Sequence, residues 1–220
     1  MSQTTILNRG EALPRQPNRP IPSCANISDA LSQLGLKSQT LHPRIHSITH
    51  LSVWGPAYTV QCYPGATHAV EEALELAKPG DVLVIDGEAY TRAVLLGGLM
   101  STRAHHRGIA GAVVDGAVRD VTELQQLRWP VFAAGTTPRS GTFAKLGQQQ
   151  MPVSCGEVVV QPGDMIAGDE DGIVAIPRHM LDETLQLAWE IEHKEAYIAK
   201  ALRSGFSLSQ AVQEYKRHLS

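Results

Sequence analysis

The sequence predicts an α/β protein built on a parallel sheet. Three observations carry this. The apolar runs Val82–Ile85, Ile109–Val114 and Val131–Ala133 have the length and bounding turn residues of buried strands. Segments with helical apolar spacing separate them, and that alternation calls for parallel strands with crossover helices. After Val153 the spacing tightens into strand-like runs joined by glycine turns, which reads as antiparallel ribbons packed on the core.

Taken in order, residues 1–22 are proline-rich (Pro14, Pro17, Pro20, Pro22) and non-periodic, an arm expected to lie on the surface or reach a neighbour. Ser23 is placed to cap a short helix from Ala25 to Leu34, stopped by Gly35. Val53–Gln61 reads as a strand, with Gly55-Pro56 marking an edge or a bulge near its start. Thr67 can cap a helix carrying Val70, Ala73, Leu74 and Ala77 at helical spacing. Pro79-Gly80-Asp81 ends that helix and launches the strand Val82–Ile85.

After Asp86-Gly87 a helix is expected from about Ala93 to His106, closed by Gly108, with Gly97-Gly98 near its start. The strand Ile109–Val114 then ends at Asp115-Gly116, a short helix covers Val121–Leu127, and Val131–Ala133 forms the next strand. Val153–Val160 and Met165–Ile176 supply the ribbons, turning at Gln161–Asp164 and Asp169–Gly172. A long helix rich in Glu and Lys runs from Arg178 to about Arg203, and Ser207 with Gln210 matches a capping box for a last helix. The organisation is an arm (1–22), a core (23–177) and a helical extension (178–220).

Bulk properties narrow the class. The 220 residues, 43% hydrophobic and 19% charged, match a globular protein able to bury roughly 70% of its unfolded surface. Three cysteines, Cys24, Cys62 and Cys155, are odd in number and follow no CxxC spacing, so reduced thiols and a cytoplasmic address are expected. Nineteen basic and 22 acidic residues are well mixed, without the Lys/Arg block of a nucleic-acid binder. No signal peptide and no run long enough for a membrane-spanning helix is visible.

The chemistry concentrates between Gly97 and Glu123. Gly97-Gly98-Leu99-Met100 and Val118-Arg119-Asp120 fall where a helix start and a strand end share one rim of a βαβ unit, and open α/β sheets bind ligands at that rim. A glycine-built helix start presents backbone N–H groups to a carboxylate. Arg119 offers a planar fork for a carboxylate or an enolate oxygen. Asp120 is a hard oxygen ligand for Mg²⁺ or Mn²⁺, and Glu123, one turn on, can hold one of that ion's waters. On local physics alone, Arg119-Asp120 also describes a capped helix with a surface ion pair, and Gly97-Gly98 also describes close helix packing. Asp86 and Asp115 end strands near the same rim and could orient Arg119 or a water.

Other candidates read more plainly. His105-His106 point about 100° apart on a helix and make a poor metal pair. His68 reads as a surface or cap residue, Cys62 and Cys155 as small core residues, and Asp169–Gly172 as a hairpin turn rather than a calcium loop.

The order of motifs resembles the RraA-like family, which includes the 4-hydroxy-4-methyl-2-oxoglutarate and 4-carboxy-4-hydroxy-2-oxoadipate aldolases. The resemblance lies in Asn26–Leu31, Pro79–Gly87, Gly116–Asp120, Pro130–Ala133, Val153–Gly156, Pro162–Asp164 and Asp171–Val174, and it spans about residues 23–205. The family's aldolase-type spacing, Gly, twenty residues, Arg-Asp, two residues, then an acid, is present as Gly98, Arg119, Asp120 and Glu123.

The resemblance implies an αββα sandwich of the swivelling-domain type with C-terminal helices, assembled as a homotrimer or a homohexamer. It also implies a magnesium- or manganese-dependent lyase that releases pyruvate from a 4-hydroxy-2-oxo diacid. Gly97, Gly98, Leu99 and Met100 would hold the substrate carboxylate, Arg119 would bind substrate, Asp120 the metal and Glu123 a metal-bound water. Oxaloacetate decarboxylase activity would accompany cleavage, because both reactions pass through the pyruvate enolate. A role in degrading aromatic acids follows from the family. The alternative from another class is a regulator that binds and inhibits ribonuclease E, a role that needs neither the metal nor the Arg-Asp pair.

Overall fold

The computed structural model describes residues 19–218. The first helix, α1 (Cys24–Gln33), begins where Ser23 Oγ accepts the Asn26 amide at 3.2 Å, and it stops before Gly35, whose φ is +90°. Strands β1 (His46–Ser47) and β2 (Val53–Gln61) lead to α2 (His68–Leu76). Two parallel units follow, β3 (Val82–Leu96) with α3 (Gly98–His106), then β4 (Gly111–Val118) with α4 (Val121–Leu127). Next come β5 (Val131–Thr136), β6 (Gln148–Gln149), the hairpin β7 (Val153–Cys155) and β8 (Val158–Val160), and the hairpin β9 (Met165–Asp169) and β10 (Gly172–Ile176). A 3-10 turn at Arg178–Met180 opens α5 (Leu181–Arg203), and α6 (Leu208–His218) closes the described chain.

The strand order is β1-β5-β4-β3-β2-β9-β10, with β6 on β2. Strand β2 changes partner half-way. Val53–Pro56 pair antiparallel with β9, and Ala57–Gln61 pair parallel with β3. Gly55-Pro56 is therefore neither edge nor bulge but the crossing point. Proline has no N–H to give a ladder, and it stands at the register where the ladder passes from one neighbour to the other.

This crossing stacks two sheets. Val82, Val84, Val113 and Phe132 of the parallel part pack against Ile166, Ile173 and Ala175 of β9–β10 and against Val153 and Val160 of the small hairpin. The other face of the parallel part carries Leu83, Ile85, Ala112 and Val114 beneath Val70, Ala104 and Leu124 of α2, α3 and α4. The other face of β9–β10 carries Ala167, Val174 and Ile176 beneath Ile27, Leu31, Ala188 and Ile191 of α1 and α5. The layers run helix, sheet, sheet, helix, the αββα sandwich that the family resemblance implies. Period-two alternation along each strand is what lets one run serve two layers.

Several boundaries differ from the sequence reading, among them the run Val153–Val160, which folds back on itself as β7 and β8. The helix expected from Ala93 begins at Gly98, because Ala93–Leu96 continue β3, with Val94 and Leu96 opposite Ala117 and Val118 of β4. Four apolar residues fit either period, and pairing with a buried neighbour decides for the strand. Asp115-Gly116 is not a turn, since β4 runs on to Val118. Thr67 holds the N-cap position of α2 without a side-chain cap bond; its hydroxyl reaches Thr142 O at 3.4 Å instead.

Local signals elsewhere hold. Ser207 N donates to Gln210 Oε1 at 2.8 Å and Gln210 N to Ser207 Oγ at 3.3 Å, a reciprocal capping box. Residues 1–18 of the arm lie outside the described residues. Its end lies on α5, where Trp189 Nε1 donates to Pro20 O at 2.9 Å and the Arg19 guanidinium stands 4.9 Å from the centre of the Trp189 ring. No helix among the described residues is long and apolar enough to cross a membrane.

Candidate active site

Two adjacent strand-to-helix turns build the site. Leu96 and Val118 are register partners on parallel strands, so the turn from β3 through Gly97 into α3 lies beside the turn from β4 through Arg119 and Asp120 into α4. Arg119 N donates to Leu96 O at 3.2 Å and ties the turns together. Fully buried Leu124 seats α4 on the sheet, a burial that stabilises by about 2 kcal/mol.

Asp120 caps α4 in a left-handed conformation, φ 61° and ψ 39°, which a short polar side chain tolerates better than most. Its carboxylate turns back toward α3 rather than capping its own helix. Oδ2 accepts the Gly98 amide at 2.9 Å and lies 3.4 Å from Arg119 Nε, a charge contact without hydrogen-bond geometry. Oδ1 has no partner among the described residues. Arg119 Nη1 donates to Ser140 Oγ at 3.0 Å, which leaves Nη2 unpaired among the described residues.

The two glycines leave room for the side chains that close over them. A Cβ at Gly97 would stand 3.0 Å from Asp120 Oδ2 and 3.2 Å from Arg119 Nε; one at Gly98 would collide with Glu123 Oε2. The Glu123 carboxylate thus lies over Gly98, beside Asp120. The sequence reading counted Gly97–Met100 alike as donors to a carboxylate, and the structure divides them. The Gly98 amide is spent on Asp120, whereas the first-turn amides of Leu99 and Met100 have no acceptor among the described residues.

Arg119 and Asp120 separate two recesses. One, of about 300 Å³, is lined by Thr67, Glu71, Val94, Gly97, Gly98, Leu99, Met100, Arg119, Asp120, Ser140 and Gly141. The other, of about 330 Å³, is lined by Arg119, Asp120, Val121, Thr136, Thr137 and Pro138. Asp120, with Glu123 close by, offers one or two carboxylates in an open setting. That donor set fits a hard cation such as Mg²⁺ or Mn²⁺, which keeps most of its waters. Among the described residues no group of three or more His, Cys, Asp or Glu could enclose a metal, so a Zn²⁺ cage has no ligands here.

Asp86 and Asp115 do not serve Arg119. They are register partners whose side chains share the sheet face of Val84 and Val113, away from α3 and α4. Asp115 takes both Nε and Nη2 of Arg44 at 2.9 Å and the Gly156 amide at 2.8 Å; Asp86 takes the amides of Glu88 at 3.0 Å and Ser154 at 3.2 Å. Both peg the small hairpin to the sheet. His105 and His106 are exposed on α3. His68 Nε2 faces Glu72 at 3.3 Å, with its ring edge-on to Phe143. Asp169 Oδ1 accepts the Asp171 amide at 3.0 Å in the β9–β10 turn. All three cysteines are free and buried.

Ser140 and Glu71 line the recess without having been singled out from the sequence, and Thr67, read there only as a helix cap, joins them. Their signal is weak: Glu71-Glu72 looks like a solvated helix face, and Ser140-Gly141 sits in a loop with no periodicity.

The family described as RraA-like, Aldolase/RraA, matches residues 24–175. A protein of Halalkalibacterium halodurans, named "Putative 4-hydroxy-4-methyl-2-oxoglutarate aldolase", is 36% identical over 202 residues, 92% of this chain and 94% of that one. The crystal structure of an uncharacterised Pseudomonas syringae protein superposes with a TM-score of 0.79 at 29% identity, covering 86% of this chain and 92% of that chain. The structure of the RNA-processing inhibitor RraA from Thermus thermophilis superposes with a TM-score of 0.62 at 32% identity, covering 68% of this chain and 92% of that chain.

Proposed function

Because the chain belongs to the RraA-like family, we propose that it is a divalent-metal-dependent aldolase. It cleaves a 4-hydroxy-2-oxo diacid, either 4-hydroxy-4-methyl-2-oxoglutarate or 4-carboxy-4-hydroxy-2-oxoadipate, to pyruvate and a second keto acid. Decarboxylation of oxaloacetate accompanies it. One observation carries the reading: Asp120, Arg119, Leu99 and Met100 line one recess where β3 and β4 end, and among the described residues Oδ1 of Asp120, Nη2 of Arg119 and the amides of Leu99 and Met100 have no partner.

Each residue then has a task. The amides of Leu99 and Met100, at the positive end of α3, take the carboxylate of the pyruvyl half. Arg119 faces the keto oxygen, and its charge stabilises the enolate that forms there when the C3–C4 bond breaks. Ser140 and Asp120 fix the guanidinium so that it need not reorganise as charge develops. Asp120, and Glu123 through a water, would hold Mg²⁺ or Mn²⁺, which when bound supplies Lewis-acid polarisation of the keto group. Oxaloacetate losing CO₂ leaves the same enolate, so one set of residues serves both reactions.

The reading extends to a cytoplasmic enzyme, a homotrimer or homohexamer, acting in the breakdown of aromatic acids. The second reading, a regulator that inhibits ribonuclease E, draws on the likeness to the RraA structure. It gives no task to the Asp120–Gly98 and Arg119–Ser140 contacts, which favour the enzyme. The deciding assay is pyruvate release from 4-hydroxy-4-methyl-2-oxoglutarate and from oxaloacetate, with Mg²⁺ and with EDTA, for the wild type and Asp120→Ala. Metal-dependent release lost in Asp120→Ala is expected. No release with any divalent metal would transfer the case to the regulator, to be pursued by ribonuclease pull-down.

A further inference from the structure

We propose that Glu71 is a second catalytic carboxylate of this site, the base that removes the C4 hydroxyl proton of the substrate; this rests on the aldolase reading above. Retro-aldol cleavage needs such a base, and the recess offers few. Its lining contains two acidic residues, Glu71 and Asp120, and no His, Lys, Cys or Tyr. Asp120 gives Oδ2 to the Gly98 amide and to Arg119, and on the reading above its Oδ1 serves the metal. Glu71 is half-buried in the first turn of α2, and its carboxylate has no hydrogen-bond or ion-pair partner among the described residues.

The other two glutamates of α2 make the contrast. Glu72 meets His68 Nε2 at 3.3 Å and accepts from Gln149 at 3.2 Å; Glu75 accepts from Arg103 at 2.8 and 2.7 Å. Both are exposed and paired. The glutamate that turns to the cavity is the one left unpaired. Desolvating a carboxylate without a partner is unfavourable, so a reactant that donates a hydrogen bond to it fits the position.

The step balances without a co-reactant. The C4 hydroxyl proton passes to the Glu71 carboxylate while the O–H electron pair forms the C4 carbonyl. The C3–C4 bonding pair becomes the C2–C3 double bond of the enolate, whose oxygen faces Arg119. Glu71, now a carboxylic acid, returns the proton to C3, giving pyruvate and restoring the carboxylate. Oxaloacetate has no C4 hydroxyl. Its C3–C4 pair passes to the same enolate as CO₂ leaves, and C3 takes its proton from solvent.

That difference provides the test. Cleavage of 4-hydroxy-4-methyl-2-oxoglutarate and decarboxylation of oxaloacetate are measured with Mg²⁺ for the wild type, Glu71→Gln and Glu71→Ala. Cleavage is expected to fall about 100-fold or more in both variants, with decarboxylation kept within about threefold. The retained decarboxylation also shows that the variants are folded with the Arg119–Asp120 site intact. Parallel loss of both activities would overturn the proposal and make Glu71 a binding or shaping residue, and so would unchanged cleavage. If the wild type releases pyruvate from neither compound, the aldolase reading falls with it.

Discussion

The amide of Gly98 donates to Asp120 Oδ2 at 2.9 Å. The bond joins the first residue of one helix to the N-cap of the next, across two parallel strands whose last residues, Leu96 and Val118, are paired. Asp120 accepts it from a left-handed backbone. A helix N-cap ordinarily serves its own helix, but this one serves the neighbour, and that leaves a single carboxylate oxygen for a ligand. The contact makes the glycine and the Arg-Asp pair one structural unit despite the twenty residues between Gly98 and Arg119.

Gly98→Ala should therefore damage function more than stability. The added methyl meets the Glu123 carboxylate, the far end of a flexible side chain. Stability is expected to change by less than about 1 kcal/mol, while a shift in the turn lowers kcat/KM for pyruvate release about tenfold or more. Removing the obstacle in a Gly98→Ala, Glu123→Ala double variant should recover part of that loss relative to Glu123→Ala alone. Strictly additive losses would show that the clash lies elsewhere.

Asp120→Asn separates charge from shape. The amide oxygen of Asn can still accept from Gly98, so the thermal midpoint in EDTA should stay close to that of the wild type. The ligand for a hard cation is gone. Mg²⁺ added to the wild type should raise its midpoint through binding to the native state, and the variant should show no rise. A matching rise in both proteins would place the ion away from Asp120.

Ser140→Ala tests how Arg119 is held. Losing the 3.0 Å bond leaves Nη1 without its partner and lets the guanidinium move. A fall in kcat of about tenfold with little change in melting is expected, since positioning and not charge is lost. Arg119→Lys should cost more, because a single ammonium cannot bond Ser140 and substrate while keeping its charge contact with Asp120.

How much of this was legible in the sequence depends on how local the signal is. Ser23 with Asn26, Ser207 with Gln210, and Val121–Leu127 are set within a few residues, and each stands where the pattern places it. Ala93–Leu96 misled because four apolar residues suit a helix as well as a strand, and only the ladder to β4 settles the matter. The same holds in the site. Gly98, Arg119 and Asp120 belong to one βαβ unit and read as a group. Ser140 and Glu71 arrive from a loop and from α2, and no spacing rule links them to Arg119. Asp86 and Asp115 stand on the expected strands, but β4 extends past Asp115 and alternation turns that side chain toward Arg44 rather than Arg119.

Arg44→Ala should destabilise without touching the chemistry. Asp115 is 3% exposed and would be left with the Gly156 amide as its chief remaining partner. Removing one member of a buried pair costs about 3 kcal/mol, measurable as a lower urea midpoint. Arg44 also meets Glu157, but that carboxylate is 68% exposed, so Glu157→Gln should cost under about 1 kcal/mol. Equal losses in the two variants would contradict this division.

Alkaline pH should weaken the fold through its thiols. Burial, with Asp86 nearby, pushes the Cys62 thiol from 9.0 up to about 12; burial likewise raises Cys24 and Cys155. A raised native pKa means that the folded chain keeps protons which the unfolded chain has lost. The stabilisation is whole below pH 9 and is lost as pH climbs from there toward the native values, at up to about 1.4 kcal/mol per pH unit for each thiol. Urea midpoints should thus fall between pH 9 and pH 10.5, and Cys62→Ala should shallow that fall. Native protein at pH 8 should leave all three thiols unlabelled by a thiolate-directed reagent, with three labelled after unfolding, since both exposure and the thiolate are withheld by the same burial. Rapid labelling of any one of them in native protein would mean that its part of the core opens far more readily than its packing implies.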